Sequence, residues 1–233
     1  MVLGLDSPPC DWLVNYLDRD KGPIFVFVHG LGADRSEWHS VLPMLKETHP
    51  SGMFMFRWSP VAARDPLVEA LSAGISRLAQ CLAGHARPIW VLAHSAGGVI
   101  AAYAAGRINV PVGTPLPGVT IFTVGSMLAG TLTRAANADG TEQPLLFLNL
   151  GQTITEYPSA AYGVQVFHLR TSYPADYFMK PEPGGRLPND PSVGVKGARQ
   201  IDLPPELAHD AALLYVAKKI TNGTWREWKS GPK

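Results

Sequence analysis

The sequence has no run approaching the ~20 consecutive apolar residues that a membrane-spanning helix requires. It also lacks a cluster of lysine and arginine, and its formal net charge is +1. Nucleic-acid-binding domains usually present a basic face, so the composition argues against a nucleic-acid partner. The N-terminal stretch MVLGLDSPPC has neither the charged nor the apolar region of a signal peptide. We therefore expect a cytoplasmic protein, although secretion after removal of a leader stays open.

Cysteine is scarce, with Cys10 and Cys81 as the only two in the chain. They form no CxxC motif and have no spacing typical of metal ligands. The two thiols could form a disulfide or could be unrelated, and the sequence leaves both alternatives open.

Apolar residues make up 46% of the 233 residues, enough for one core, and we expect a single domain over 1–233. Strand-like and helix-like segments alternate, which indicates an α/β fold with a mainly parallel sheet covered on both faces. The predicted strands are 24–28, 53–58, 89–92, 119–124 and 164–169, and the predicted helical regions are 36–45, 66–84, 96–107 and 206–220. Segments 129–163 and 172–205 fit this alternation poorly, and we expect them to form the walls or cover of a pocket. Whether 129–163 acts as a lid stays open.

The stretch IWVLAHSAGG, residues 89–98, carries an apolar strand straight into a serine that small residues follow. A serine between a strand end and a helix start lies on a sharp turn that exposes its Oγ and strains its backbone. Such a turn needs small residues two positions to either side, and Ala93 and Gly97 meet this need. The following helix also directs free N–H groups toward Ser95, which favours negative charge beside it.

This stretch resembles the G-x-S-x-G nucleophile elbow of the α/β-hydrolase superfamily, with Ala93 in place of the first glycine, a form similar to some small lipases. The HGLG motif at 29–32 likewise resembles the H-G-x-G loop of that superfamily. The resemblance implies a compact α/β-hydrolase fold with at most a small cap and an oxyanion hole formed by the Leu31 and Ala96 N–H groups. Arg35 at the third glycine position of GxGxxG argues against a nucleotide-binding loop.

The order of catalytic residues in the superfamily, serine then acid then histidine, implies that the base follows Ser95. His209 precedes an apolar helix and resembles the superfamily's histidine loop. His168 lies within a predicted strand, where a packed core imidazole fits better. We expect His94 to be a packing or hydrogen-bonding neighbour of Ser95.

The acid that orients His209 is assigned to Asp176, in a loop shortly after the strand 164–169. The segment DYFMKP resembles the acid-bearing loop of relatives, and a carboxylate there can hold the imidazole tautomer. A turn-capping aspartate is the structural alternative for this residue. Asp190 and Asp202 are the alternative acids.

The resemblance implies a serine hydrolase that cleaves carboxylic esters through an acyl-enzyme and needs no metal or organic cofactor. A thioesterase, an amidase or a non-catalytic binding module stays open, because one fold hosts many functions. Apolar residues near the expected site favour a small-molecule or lipid-like ester with an apolar acyl group, although each is equally compatible with a place in the core. These candidate pocket residues are Trp38, Trp58, Met127, Leu128, Tyr173, Tyr177 and Phe178. Oligomeric state is left open.

Overall fold

The structure is a computed structural model of the 233-residue chain. The residues that it describes are 3–4, 10, 22–31, 33, 35–59, 64–85, 87–115, 118–128, 134–136, 142–144, 159–181, 187–190 and 195–229. Most of the segment 129–163 lies outside these residues, and so does its predicted place in the wall or cover of a pocket.

Seven parallel strands form the central sheet, in the spatial order β1-β3-β2-β4-β5-β8-β9. Two further strands, β6 and β7, pair antiparallel with each other in a separate small sheet. Along the chain the strands are β1 (Leu3–Gly4), β2 (Ile24–Val28), β3 (Gly52–Phe56), β4 (Ile89–His94), β5 (Val119–Val124), β6 (Arg134–Ala136), β7 (Glu142–Pro144), β8 (Val164–Arg170) and β9 (Arg199–Asp202). The described part of the chain therefore has the predicted α/β architecture, with a fully parallel central sheet.

Helices cover both faces of the sheet because side chains along each buried strand alternate between its two faces. In β2, Val26 packs with one apolar cluster and Phe27 with the other. The described α-helices are α1 (Leu42–Lys46), α2 (Arg64–Cys81), α3 (Ala96–Ala104) and α4 (His209–Thr221), and short 3-10 helices span Arg35–Trp38, Tyr177–Met179 and Thr224–Lys229. Helices α2 and α3 belong to the first cluster, whereas α1 and α4 belong to the second.

The prediction missed β9, which lies inside the segment 172–205 that was expected to be irregular. Its sequence RQID carries one apolar residue, and its side chains are largely exposed. An edge strand of this kind lacks the apolar pattern on which prediction depends. It pairs parallel with β8, with Phe167 opposite Arg199.

Cys10 and Cys81 form a disulfide across a sequence separation of 71 residues. Cys81 is the last residue of α2, so the bond ties the N-terminal segment to the end of that helix. In the described part of the chain, none of the helices combines the length and apolarity that a bilayer crossing requires.

Candidate active site

The site lies where parallel strands end, because the carboxyl ends of β2, β4, β5 and β8 meet at one edge of the sheet. Ligand sites of open parallel sheets form at this edge. The loop after β2 carries His29 and Gly30, and β4 ends directly before Ser95. Asp176 lies six residues beyond the end of β8.

Ser95 occupies a sharp turn between β4 and α3, as predicted, and its backbone is strained. Its φ of 53° and ψ of −126° lie in a region that non-glycine residues rarely adopt. The Ser95 N–H donates to the Val124 carbonyl at 2.9 Å, which continues the β4–β5 ladder into the turn. A Cβ on Gly97 would lie 2.3 Å from the His29 carbonyl oxygen, so the turn closes only with glycine there.

His209 and Asp176 are in direct contact. His209 is the first residue of α4, and its Nδ1 lies 2.8 Å from Asp176 Oδ2. Gly125 allows this approach, since a Cβ on it would lie 3.2 Å from His209 Nδ1. Of the three candidate acids, Asp202 instead pairs with Arg170 at 2.6 Å. The carboxylate that the described structure brings to His209 is that of Asp176.

Asp176 is fully buried, and its carboxylate accepts three hydrogen bonds. Besides His209, Thr171 Oγ1 donates to Oδ2 at 2.5 Å and the Phe178 N–H donates to Oδ1 at 3.0 Å. Burial by itself raises the pKa of this carboxyl, but the hydrogen bonds and the charge of His209 outweigh it and lower the pKa below the ordinary value. The aspartate thus caps the 3-10 helix Tyr177–Met179 and also holds His209.

His29 fixes the peptide that follows Gly30. The Trp58 N–H donates to His29 Nε2 at 3.3 Å, so Nδ1 carries the ring hydrogen and donates to the Gly30 carbonyl at 2.8 Å. The Trp58 ring stacks on His29, with ring centroids 5.2 Å apart. In a trans peptide the carbonyl and the next N–H point in opposite directions, so the Leu31 N–H points away from His29.

Glu37 is a site residue that the sequence interpretation missed. Its Oε2 accepts from the Gly30 N–H at 3.0 Å, and its Oε1 lies 2.6 Å from His94 Nδ1. His94 Nε2 in turn lies 3.3 Å from the His209 carbonyl oxygen. His94 is therefore a hydrogen-bonding neighbour within the site. A sequence signal for Glu37 is its place in the short helix after HGLG, one residue before the buried Trp38.

The candidate pocket residues fall into two groups. Four of them are buried in the interior: Trp38, Trp58, Met127 and Leu128. Tyr173, Tyr177 and Phe178 are between 44% and 70% exposed. Phe178 also contacts the His209 ring, at 4.8 Å between centroids.

His168 lies in the core, as expected from its strand. Its Nδ1 is 2.9 Å from Thr123 Oγ1, and its side chain is fully enclosed. Burial, together with the nearby charge of Arg170, lowers the pKa of His168 to about 3. The imidazole is neutral at physiological pH and makes no described contact with His209.

Ser95 Oγ makes no hydrogen bond within the described part of the chain, so no such bond joins it to His209 there. The ring of His94, the residue before Ser95, lies 4.5 Å from the His209 ring between centroids. Hydrogen bonds between a nucleophile and its general base are often long or poorly aligned without substrate and tighten once substrate is bound.

Comparison with known proteins gives one family match, in which the model described as the alpha/beta hydrolase family matches residues 25–232. Similar solved structures include Est1E from Butyrivibrio proteoclasticus, with 16% identity, a TM-score of 0.50, and coverage of 91% of this chain and 90% of that one. A putative hydrolase from Agrobacterium vitis has 11% identity, a TM-score of 0.52, and coverage of 90% and 88%. At these identities the structural likeness concerns the fold alone. No curated protein matches the sequence.

Proposed function

Because the chain belongs to the alpha/beta hydrolase family, we propose that it is a serine hydrolase that cleaves carboxylic esters of apolar acyl groups. The observation that carries this proposal is the combination at one sheet edge of a strained Ser95 and an Asp176–His209 pair. Strained backbone conformations of non-glycine residues cluster at functional sites.

In the proposed mechanism Ser95 Oγ attacks the ester carbonyl while His209 Nε2 accepts its proton. Asp176 accepts from His209 Nδ1, which leaves Nε2 as the unprotonated nitrogen and stabilises the imidazolium that forms. The alcohol leaves with the proton that His209 returns, and the acyl group stays on Ser95. Water, activated by the same His209, then releases the acid and restores the serine.

The negative oxygen of the tetrahedral intermediate is assigned to the Leu31 and Ala96 N–H groups. Ala96 begins α3, and the first N–H groups of a helix have no partner within the helix. The Gly30 carbonyl is held by His29, which orients the Leu31 N–H away from that ring. Preorganised donors of this kind lower the barrier because they need no reorientation during the reaction.

The exposed aromatic residues next to His209 support an apolar acyl or aromatic ester substrate. Phe178 contacts the His209 ring, and Tyr177 lies beside Phe178 with its centroid 6.4 Å away. Such side chains favour apolar groups over charged ones. The same site chemistry also admits thioesters and amides.

A panel of p-nitrophenyl esters from acetate to palmitate tests the proposal. We expect hydrolysis of at least one chain length, and loss of about 10⁶-fold in kcat for Ser95→Ala with folding retained. Equal turnover by the Ser95→Ala variant would contradict the proposal. Absence of turnover on esters, thioesters and amides alike would favour a non-catalytic binding module.

The disulfide supports an oxidising compartment instead of the cytoplasm that the sequence favours, because cytosolic thiols are kept reduced. Mass measurement of the protein isolated from cells, after alkylation without a reductant, tests this location. An unmodified mass supports it, whereas two alkylated cysteines would contradict it.

A further inference from the structure

A second histidine–carboxylate pair lies beside the Asp176–His209 pair. Glu37 Oε1 is 2.6 Å from His94 Nδ1, and the two side chains are 14% and 2% exposed. Burying a carboxylate is costly unless it is paired, and His94 is the partner of Glu37 here. The question is what this pair does so close to the candidate nucleophile.

The partners of His94 define the hydrogens in this pair. Its Nε2 faces the His209 carbonyl oxygen, which only accepts, so Nε2 carries a hydrogen. Its Nδ1 faces Glu37 Oε1, and one further proton lies between these two atoms. The proton between Nδ1 and Oε1 makes this contact a hydrogen bond.

These bonds also exclude His94 as an alternative base for Ser95. Both ring nitrogens are engaged, Nδ1 by Glu37 and Nε2 by the main chain at residue 209. A general base needs an unprotonated nitrogen that faces the hydroxyl. The role of the pair is therefore to hold other groups in place.

Three segments of the site meet at this pair. Glu37 Oε2 holds the Gly30 N–H in the loop after β2, and His94 is the residue before the elbow serine. His94 also reaches the main chain at the start of α4. A Cβ on Gly30 would lie 3.1 Å from both Ser95 Cβ and Glu37 Oε1, so this glycine packs directly between the carboxylate and the serine.

We propose that Glu37 is a positioning residue that acts by bridging, with one oxygen on the Gly30 N–H and the other on His94. The hydrogen bond from the Gly30 N–H to Glu37 holds Gly30 in place and thereby fixes the orientation of the following peptide. The Leu31 N–H of that peptide is the proposed oxyanion donor. This inference rests on the proposed function. We expect kcat to depend on the length and the hydrogen-bonding capacity of the side chain at position 37 more than on its negative charge.

Three substitutions separate bridging from charge. Glu37→Gln keeps the length and can accept from Gly30 while donating to His94 Nδ1, without the charge. Glu37→Asp keeps the charge but is one methylene shorter, so it cannot reach both partners in the same geometry. Glu37→Met removes both bonds at similar size, and Glu47→Met, at an exposed position, is the matched control.

The measurements are kcat, KM and thermal melting on the best ester of the panel. We expect kcat to fall in the order Glu, Gln, Asp, Met, with Gln within about tenfold of the native protein and Met lower by about 10²–10³-fold, the loss typical of an oxyanion donor. KM should change by less than about threefold, because the oxyanion forms only in the transition state. The Glu47→Met control should match the native protein.

An Asp variant that equals or exceeds the Gln variant in kcat would overturn the bridging role, and this comparison holds even if the Met variant does not fold. Lower melting temperatures with unchanged kcat throughout the series would also overturn it. Failure of the native protein to hydrolyse any ester or to react with a fluorophosphonate would instead overturn the proposed function.

Discussion

The two histidine–carboxylate pairs lie side by side, and they differ in what each imidazole has left to offer. In the Asp176–His209 pair the acid holds Nδ1 and leaves Nε2 for chemistry. In the Glu37–His94 pair both ring nitrogens have oxygen partners. Nearly the same contact, at 2.8 Å in one pair and 2.6 Å in the other, thus belongs to a proposed base in the first case and to a proposed support in the second.

The largest effect we expect comes from the same substitution in each histidine. His209→Ala should lower kcat by about 10⁶-fold, because base and nucleophile act as one unit. His94→Ala should lower it by no more than about 10³-fold, the scale of a lost oxyanion donor. Steady-state kinetics on one ester decides the matter, and equal losses in the two variants would remove the distinction between the pairs.

The carboxylates give the next comparison. Asp176→Asn keeps the shape but removes the charge and can favour the wrong imidazole tautomer, which lowers kcat by about 10⁴-fold in the serine-protease case. The kcat of Glu37→Gln should stay within about tenfold of the native value, because an amide can make both hydrogen bonds of the bridge. Asp202→Asn and Asp190→Asn serve as controls, and a collapse of activity in either would show that the acid has been misassigned.

His168, which has no carboxylate partner among the described residues, sharpens the comparison through stability. Its pKa is lowered from 6.5 in the unfolded chain to about 3 in the fold, so its contribution is fully present above pH 6.5 and is lost as pH falls toward 3. The titration of His168 by itself should therefore lower the free energy of unfolding by about 2–3 kcal/mol between pH 7 and pH 4.5. Denaturant titrations at the two pH values measure this fall.

A variant with His168→Leu and Thr123→Val should lose most of that pH dependence, since the pair of substitutions removes the imidazole and its hydroxyl partner together. The exposed His39→Leu should keep it. An unchanged pH dependence in the core double variant would show that another group is responsible.

Loss of the disulfide should lower stability and leave kcat unchanged. Substitutions in either histidine–carboxylate pair should instead lower kcat. Cys10→Ser with Cys81→Ser removes a cross-link over 71 residues, worth about 4 kcal/mol in the chain-entropy account. Thermal melting measures the loss, while kcat should stay at the native level. A large fall in kcat in a folded variant would show that the cross-link also shapes the site.

Much of the sheet could be predicted because its strands are buried on both faces and are rich in apolar residues. β2 and β5 have the predicted bounds, and the elbow turn followed from the small residues around Ser95. β9 could not be predicted, because an exposed edge strand carries no apolar signal.

The residues of the candidate site likewise differ in whether the local sequence or only the tertiary structure reveals them. Ser95 was predicted from local sequence, and the superfamily resemblance pointed to His209 and Asp176, which the structure brings into contact. Glu37 meets His94 across 57 residues, and only the sheet order places the loop after β2 beside the end of β4. Two cysteines alone likewise could not show that they pair.

The central claim is that Ser95 is a nucleophile that His209 activates. Intact-mass measurement after reaction with a fluorophosphonate probe tests it most directly, on the native protein, Ser95→Ala and His209→Ala. We predict one adduct on the native protein that peptide mapping assigns to Ser95, none on Ser95→Ala, and strongly slowed labelling of His209→Ala. An adduct on another residue, or equal labelling of the native protein and Ser95→Ala, would contradict the claim.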